Sequence, residues 1–293
     1  MYYIEKNDKP RLFEQLFKII KIEDNKIILP INKDDLNEKK SIKLANKTHR
    51  ILQKTQSNKI VLSKELQKNE IYANVLHSYG YNIVDGRWLF EGISEKILNY
   101  ITELKNIKKE ETSISILVNN LTDYTLESIK ILAKEYKTLN IVTNHIEKFK
   151  KIEKIIYQEY GLMITVTNNK KRSLNKSKVI LNIDFPNEIL NKYNIYDEAI
   201  IVNINGNIKI NKKRFCGLVI NDYEIKVKSI KENRKYYIKE LYEAGFYKNI
   251  PFKELQDKIK KEKLEIEAVL GLNGKILWNF YKYFIFLSKY NIM

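Results

Sequence analysis

Five short runs rich in branched apolar residues recur through residues 114–204 and constrain the fold more than any other feature. They cover residues 114–118, 139–143, 163–166, 179–183 and 199–204. The last two lack the alternation of a half-exposed strand, so they predict parallel strands with both sheet faces covered. Helical spacing over 125–136 and 146–160, the latter ended by Gly161, predicts helices between the first three strands. Strands and helices in series predict a doubly wound α/β domain.

The first 105 residues alternate in a similar way, and the residues after 225 do not. Strands are predicted over 27–29, 60–62 and 81–84, and helices over 36–56, 65–79 and 93–104. Further helices are predicted over 233–243, 252–270 and 275–290. We therefore predict an α/β fold in three parts: an N-terminal α/β domain over 1–105, a Rossmann-like domain over 112–225, and C-terminal helices over 226–293 that pack on the body.

The net charge of +17 comes from 53 Lys and Arg against 36 Asp and Glu, and only six of the cations are Arg. Base edges and phosphates favour the planar fork of Arg, whereas Lys acts as a point charge. An excess of Lys, Ile and Asn is also what an AT-rich coding sequence gives. Both a solvated Lys-rich surface and a polyanion partner stay open, with basic stretches at 170–172 and 212–214 as the candidate contacts.

Several classes of site and location are excluded by simple counts. The single cysteine, Cys216, excludes an intrachain disulfide, and its apolar neighbours predict a buried side chain. The three histidines are far apart in sequence, so no metal site is predicted. The most apolar stretch, 276–287, is shorter than the roughly 20 residues of a membrane span. With no apolar signal core at the N-terminus, we expect a cytoplasmic protein.

Residues 112–225 resemble the NAD(P)-binding Rossmann domain of the shikimate dehydrogenase and glutamyl-tRNA reductase families. The likeness covers about 40% of the chain and lies in the order and wording of six stretches. They are Ser-Ile-Ser-Ile-Leu-Val-Asn-Asn at 113–120, Val-Thr-Asn-His at 142–145 with Glu-Lys-Phe at 147–149, Tyr-Gly-Leu at 160–162, the turn before the fourth strand at 173–183, Asp-Phe-Pro at 184–186, and the fifth strand at 199–203. By position only, the resemblance implies cofactor contacts from Asn119, Asn120, Thr122, Thr143, Asn144 and His145. It also implies that Asp184 lies near a nicotinamide.

The turn after the first strand departs from that family. Dinucleotide binding uses a Gly-rich turn so that the backbone can approach the pyrophosphate at a helix N-terminus. Residues 119–124 read Asn-Asn-Leu-Thr-Asp-Tyr and contain no Gly. Their side chains would crowd the phosphates, and we expect Asp123 to cap the following helix. The cofactor therefore stays unassigned, and the turn disfavours NAD(P).

Three side chains are candidates for catalysis. Asp85 and Arg87 flank Gly86 and precede Trp88, so they could form a charged site at a sheet's carboxyl edge. The alternative is a tight turn, with Gly86 at positive φ and Trp88 anchoring the next helix. Asp184 is the third candidate.

The function predicted from these observations is a Rossmann-like two-domain protein with a lost or remodelled dinucleotide site, in a binding or regulatory role. Two alternatives stay open: an atypical NAD(P)-dependent oxidoreductase, and a basic nucleic-acid-binding protein. The sequence leaves open whether the protein is an enzyme, because no catalytic motif of the shikimate dehydrogenases or glutamyl-tRNA reductases can be matched.

Overall fold

The computed structural model describes residues 1–7, 9–17, 19–31, 37–55, 57–246 and 250–276. Contacts within the chain divide it into two compact units. The first unit comprises Met1–Leu89 with Val227–Ile250, and the second comprises Phe90–Lys226 with the described residues from Pro251 onward. The boundaries at 105, 112 and 225 stay a prediction.

Strands and helices alternate along most of the described chain. The strands are β1 (Tyr2–Lys6), β2 (Lys21–Glu23), β3 (Lys26–Leu29), β4 (Lys59–Leu62), β5 (Asn82–Ile83), β6 (Ser113–Leu117), β7 (Thr138–Val142), β8 (Ile164–Thr167), β9 (Val179–Asn182), β10 (Ile200–Asn203), β11 (Leu218–Ile220), β12 (Asp222–Lys226), β13 (Glu265–Gly271) and β14 (Gly274–Lys275). The helices are α1 (Leu12–Phe17), α2 (Glu38–Leu52), α3 (Lys64–Gln67), α4 (Glu70–Ser78), α5 (Arg87–Gly92), α6 (Ser94–Leu104), α7 (Asp123–Glu135), α8 (Ile146–Tyr160), α9 (Asn187–Leu190), α10 (Ile238–Ala244) and α11 (Phe252–Lys261).

A mixed five-stranded sheet forms the centre of the first unit, in the order β2-β3-β1-β4-β5. Only β2 runs antiparallel to its neighbour. One face of the sheet packs against α2 and α4 and buries a core in which Ile4, Ile60 and Leu62 are fully covered. The helix predicted over 65–79 is two helices, because Asn69 caps a new helix that starts at Glu70.

Strand β1 lies in the middle of this sheet, although its charged sequence did not indicate a strand. Its two charged residues are buried because each has a partner of opposite charge. The Glu5 carboxylate accepts hydrogen bonds from Lys235 Nζ at 2.9 Å and Tyr236 Oη at 3.0 Å. Lys6 Nζ lies 3.0 Å from a carboxylate oxygen of Glu65. Pairing removes most of the penalty for burying a charge, so a charged strand can occupy a central position.

The second unit contains the Rossmann-like sheet, and here the sequence prediction is confirmed. Its strand order is β11-β10-β9-β6-β7-β8, and all the pairs are parallel. Counted from β6, this is the 3-2-1-4-5-6 order of doubly wound dinucleotide-binding sheets. For each of the five strands predicted over 114–204, both ends lie within one residue of the ends of an observed strand. The helix predicted over 146–160 is α8, and Gly161 ends it at a φ of 65°.

The two faces of this sheet are covered differently. Helices α7 and α8 connect the first three strands. Three connections with little helix cross the other face, over 168–178, 187–198 and 205–217. Leu174, Leu190, Ile195 and Ile208 from these connections pack with strand residues such as Ile201 in one buried cluster. The three segments are called the crossover segments below.

The C-terminal part departs from the predicted helices. The helix predicted over 252–270 ends at Lys261, because Lys263 adopts a left-handed φ of 51° and Leu264 is buried. Residues 265–271 then form β13, which pairs antiparallel with β12 and with β14. The helix predicted over 275–290 lies, from residue 277 on, outside the described residues. The predicted burial of Cys216 is wrong, because its side chain is exposed.

Three buried asparagines connect the ends of neighbouring strands in the second unit. Asn182 ends β9, Asn203 ends β10, and Asn221 follows β11. Asn182 Nδ2 donates to Asn203 Oδ1 at 2.8 Å, and Asn203 Nδ2 donates to Asn221 Oδ1 at 3.0 Å. The three side-chain amides also bond to backbone groups. For example, Ile208 N–H donates to Asn221 Oδ1 at 2.8 Å. The chain of amides therefore fixes the loops at the carboxyl edge.

The middle member of this chain should be important for stability. We expect Asn203→Ala to lower the free energy of unfolding by about 3 kcal/mol, since it leaves several buried donors and acceptors without partners. Urea denaturation measures this change. Asn207→Ala, at an exposed position nearby, is the control and should change stability by less than about 0.5 kcal/mol. Equal effects of the two substitutions would contradict the structural role of the amide chain.

Candidate functional site

The candidate site lies where the chain leaves β6 and β9, two neighbouring strands of the second unit. In sheets with this strand order the connections from these two strands turn to opposite faces, and ligands bind in the crevice outside their carboxyl ends. The two strands stay in register to their last residues, with Leu117 beside Asn182. The Ile183 N–H still donates to Leu117 O at 2.9 Å, so the two turns start side by side.

The backbone amides of the first turn are occupied by a carboxylate from the second. Asn119 N–H donates to Asp184 Oδ1 at 2.9 Å and to Oδ2 at 3.0 Å. Asn120 N–H donates to Asp184 Oδ2 at 2.7 Å. Successive N–H groups at such a turn form an anion-binding concavity, which holds phosphate in dinucleotide-binding proteins. Here the Asp184 carboxylate is the anion.

Asn182 positions the turn that carries Asp184. Its Oδ1 accepts from Phe185 N–H at 3.1 Å, and its Nδ2 donates to Phe185 O at 2.8 Å. The Phe185 ring is buried in the core below, so the residues on both sides of Asp184 are fixed. Because the backbone around Asp184 is fixed, only its side-chain torsions have to be ordered for the carboxylate to meet the amides, which favours a persistent contact.

The remaining residues implied by the resemblance lie at the same edge and bond mainly to one another. Asn119 Oδ1 accepts from Asn144 N–H at 2.9 Å and lies 3.5 Å from the Thr143 hydroxyl. Thr143 Oγ1 accepts from His145 N–H at 3.1 Å. Asn119 therefore links the turns after β6 and β7, where a dinucleotide would need open backbone. Whether these residues contact a ligand stays a prediction.

The N-terminus of α7 carries a second internal acid. Thr122, and not the expected Asp123, is the N-cap, and its hydroxyl accepts from Thr125 N–H at 3.0 Å. The Glu91 carboxylate accepts from the hydroxyls of Thr122 at 2.5 Å and Thr125 at 2.7 Å. A carboxylate at this position is favoured by the positive end of the helix dipole.

Negative charge near this helix end also affects a buried phenol. Burial, together with the charges of Glu91, Glu254 and Asp123, raises the pKa of Tyr124 to about 12. These charges oppose any added anion. Two like charges about 4 Å apart repel by about 4 kcal/mol at an effective dielectric constant of roughly 20, which corresponds to about a thousandfold in binding.

The other two catalytic candidates lie in the first unit. Asp85 Oδ1 accepts from Arg87 N–H at 3.0 Å, which closes a tight turn around Gly86. Gly86 has a φ of 82°, as the alternative interpretation of a tight turn predicts, and a Cβ there would lie 2.9 Å from the Lys239 side chain. These contacts support the turn, and a catalytic role for Asp85 or Arg87 stays a prediction.

Metal binding and membrane spanning can be checked directly on the described residues. No group of three or more His, Cys, Asp and Glu side chains in the described ranges is placed to hold a metal ion. None of the helices that the structure describes is long and apolar enough to cross a membrane.

Sequence reasoning missed Glu91 and the asparagine chain. The asparagines had a signal, since each follows a run of apolar strand residues at the end of a parallel strand: Leu181-Asn182, Val202-Asn203 and Ile220-Asn221. Glu91 had none, because it is one of 36 acidic residues and lies 31 residues before Thr122.

Removing the charge of Asp184 should weaken the contact between the two turns. We expect Asp184→Asn to lower the free energy of unfolding by about 1–3 kcal/mol, because the charge-assisted bonds are lost and the new amide N–H groups face backbone donors. Urea denaturation measures the change. Glu188→Gln removes an exposed carboxylate four residues away and is the matched control. Indistinguishable stabilities of the two variants would contradict this account.

The comparisons with known proteins add little to this geometry. No family model matches the sequence, and no curated protein matches it. The crystal structure of L-tryptophan dehydrogenase from Nostoc punctiforme is similar at 7% identity and a TM-score of 0.30, over 64% of this chain and 53% of that one. The chain thus spans about half the length of that protein. A putative aspartate carbamoyltransferase from Trypanosoma cruzi is similar at 12% identity and a TM-score of 0.25, over 70% of each chain. Similarity this low says nothing about activity.

Proposed function

We propose that this protein has a binding or regulatory role, and that its Rossmann-like unit does not use a dinucleotide at the turn after β6. One observation carries the proposal: the Asp184 carboxylate accepts hydrogen bonds from both Asn119 N–H and Asn120 N–H. A pyrophosphate at this turn would need the same two donors. It would have to displace an attached anion whose own turn is held by Asn182.

The charge and shape of the turn support the same proposal. Glu91 lies against the hydroxyls at the start of α7, where a phosphate would use the helix dipole. Asn119 bonds to Asn144 N–H across the edge. The turn contains no Gly, so every residue has a side chain where dinucleotide-binding turns leave the backbone bare. Each of these features raises the free energy of a bound pyrophosphate.

Thermal unfolding with millimolar NAD⁺, NADH, NADP⁺ or NADPH tests the proposal. A ligand at a hundred times its Kd adds about 2.7 kcal/mol. In a protein of this size that is a rise of roughly 4–5 °C in melting temperature. We expect a rise of less than about 1 °C with each of the four, because the phosphate donors are already bonded. A clear rise with any of them would favour the atypical oxidoreductase instead.

A variant provides the positive arm of this test. Asp184→Ala should free the two amides and remove one negative charge, so inorganic phosphate should raise the melting temperature of the variant more than that of the native protein. Chloride at equal ionic strength is the salt control, and Glu188→Ala is the control variant. Equal responses of the native protein and Asp184→Ala to phosphate would contradict an anion site closed by Asp184.

A further inference from the structure

The crossover segments of the second unit hold an unusual share of the positive charge. They contain eight Lys and two Arg against three carboxylates, so 36 residues carry a net charge of +7. The whole chain carries +17 over 293 residues, so an even spread would give these segments about +2. All ten cations are on exposed residues. A biased coding sequence would spread Lys over the whole surface, and it does not account for this concentration.

Hydrogen bonds join the three segments side by side. Asn194 N–H donates to Lys170 O at 2.8 Å, and Tyr196 N–H donates to Leu174 O at 3.0 Å, which joins the first segment to the second. Asn191 joins the second to the third, since its Nδ2 donates to Lys209 O at 2.9 Å. The two basic stretches at 170–172 and 212–214 therefore belong to one surface, which is called the basic face below.

This surface is fixed to the sheet beneath it. The Ser115 hydroxyl of β6 lies 2.6 Å from the Ser177 hydroxyl and donates to Ser173 O at 3.2 Å. Lys212 helps to hold the third crossover segment against the second, because its Nζ lies 2.6 Å from both Asp197 Oδ1 and Ile195 O. The other cations of the two basic stretches extend from a rigid support, which lowers the entropy lost when they meet a ligand.

The composition of the basic face favours one kind of polyanion. Within the three segments, all of which are described, no large apolar side chain is exposed. A membrane-binding surface combines cations with apolar residues that enter the bilayer interface, so a lipid surface is disfavoured. Exposed amides accompany the cations instead, at Asn168, Asn194, Asn207 and Asn211 among others. Amides and cations together are the groups that contact phosphates and sugars in nucleic-acid complexes.

We infer that the basic face binds the sugar–phosphate backbone of a nucleic acid. Lys outnumbers Arg there by eight to two, and point charges contact phosphates without reading base edges. Binding is therefore independent of base sequence and steeply dependent on salt. This inference goes beyond the proposed function and does not rest on it, because the basic face and the Asp184 turn use different residues.

The test uses fluorescence anisotropy with labelled single-stranded RNA of thirty uridines, thirty-nucleotide oligo(dT), and a duplex DNA of the same length. The test variant replaces Lys170, Lys171, Arg172, Lys213 and Arg214 with Gln and leaves Lys212 in place. The matched control replaces Lys148, Lys151 and Lys154 of α8 and Lys260 and Lys261 of α11 with Gln. Each variant removes five exposed cations from the second unit, so both have the same net charge.

We expect the native protein to bind at least one of the three probes at low salt, and the test variant to bind it at least tenfold more weakly, roughly the loss of several phosphate contacts. The slope of log K against log salt should fall by up to about 3.5 for a single strand, at about 0.7 for each phosphate contact. The affinity of the control variant for the probe should fall less than about threefold. Charges far from the bound nucleic acid act on it only at long range, where salt screens them. Circular dichroism and the melting temperature confirm that both variants are folded.

Three results would overturn the inference. One is a native protein that binds none of the probes at low salt. Another is an equal loss of affinity in the two variants, which would assign binding to net charge alone. The third is binding through the basic face to vesicles of phosphatidylcholine and phosphatidylserine without binding to nucleic acid, which would make a lipid surface the partner.

Discussion

The contact between the Asp184 carboxylate and the amides of Asn119 and Asn120 joins the two turns at the edge of the sheet where the candidate site lies. Sheets with this strand order form a crevice at the point where the direction of winding reverses, and a phosphate at the first turn is the usual occupant. In this protein the two turns are bridged from within, by a side chain of the turn that follows the neighbouring strand β9. The strand order is that of doubly wound dinucleotide-binding sheets, and the anion bonded to the turn amides belongs to the chain itself.

Polar contacts within the chain organise the rest of this edge as well. Asn182 positions the turn of Asp184, and it is also the first member of the amide chain that continues through Asn203 to Asn221. A half-satisfied buried network costs more than an apolar one, so these residues act together. The amide chain connects the loops at this edge to the ends of three strands. The basic face lies on the crossover segments, and the third of them shares the amide chain, because Asn203 and Asn221 bond to its backbone. Further hydrogen bonds join the three segments to one another.

The sequence predicted the parts of the fold that depend on local pattern. The runs at 179–183 and 199–204 read as buried strands because both faces of β9 and β10 are covered. Other features depend on residues far apart in sequence. The Asp184 contact spans about 65 residues, and the buried Glu5 of the central strand β1 is bonded by Lys235 and Tyr236, about 230 residues away. The turn without Gly predicts a lost or remodelled cofactor site, and this stays a prediction. The carboxylate bonded to the amides of that turn could be seen only in three dimensions.

The most direct test of the Asp184 contact is solution NMR of the deuterated protein, with the amides of Asn119 and Asn120 and the carboxyl carbon of Asp184 assigned. A hydrogen bond between an amide and a carboxylate transmits a small scalar coupling from the amide nitrogen to the carboxyl carbon. We expect such a coupling from both amides to the Asp184 carboxyl carbon, and amide shifts that stay unchanged when millimolar NAD⁺ or NADP⁺ is added at neutral pH. Amides that show no coupling to Asp184, or whose shifts move on adding a dinucleotide, would contradict the closure of this turn by Asp184.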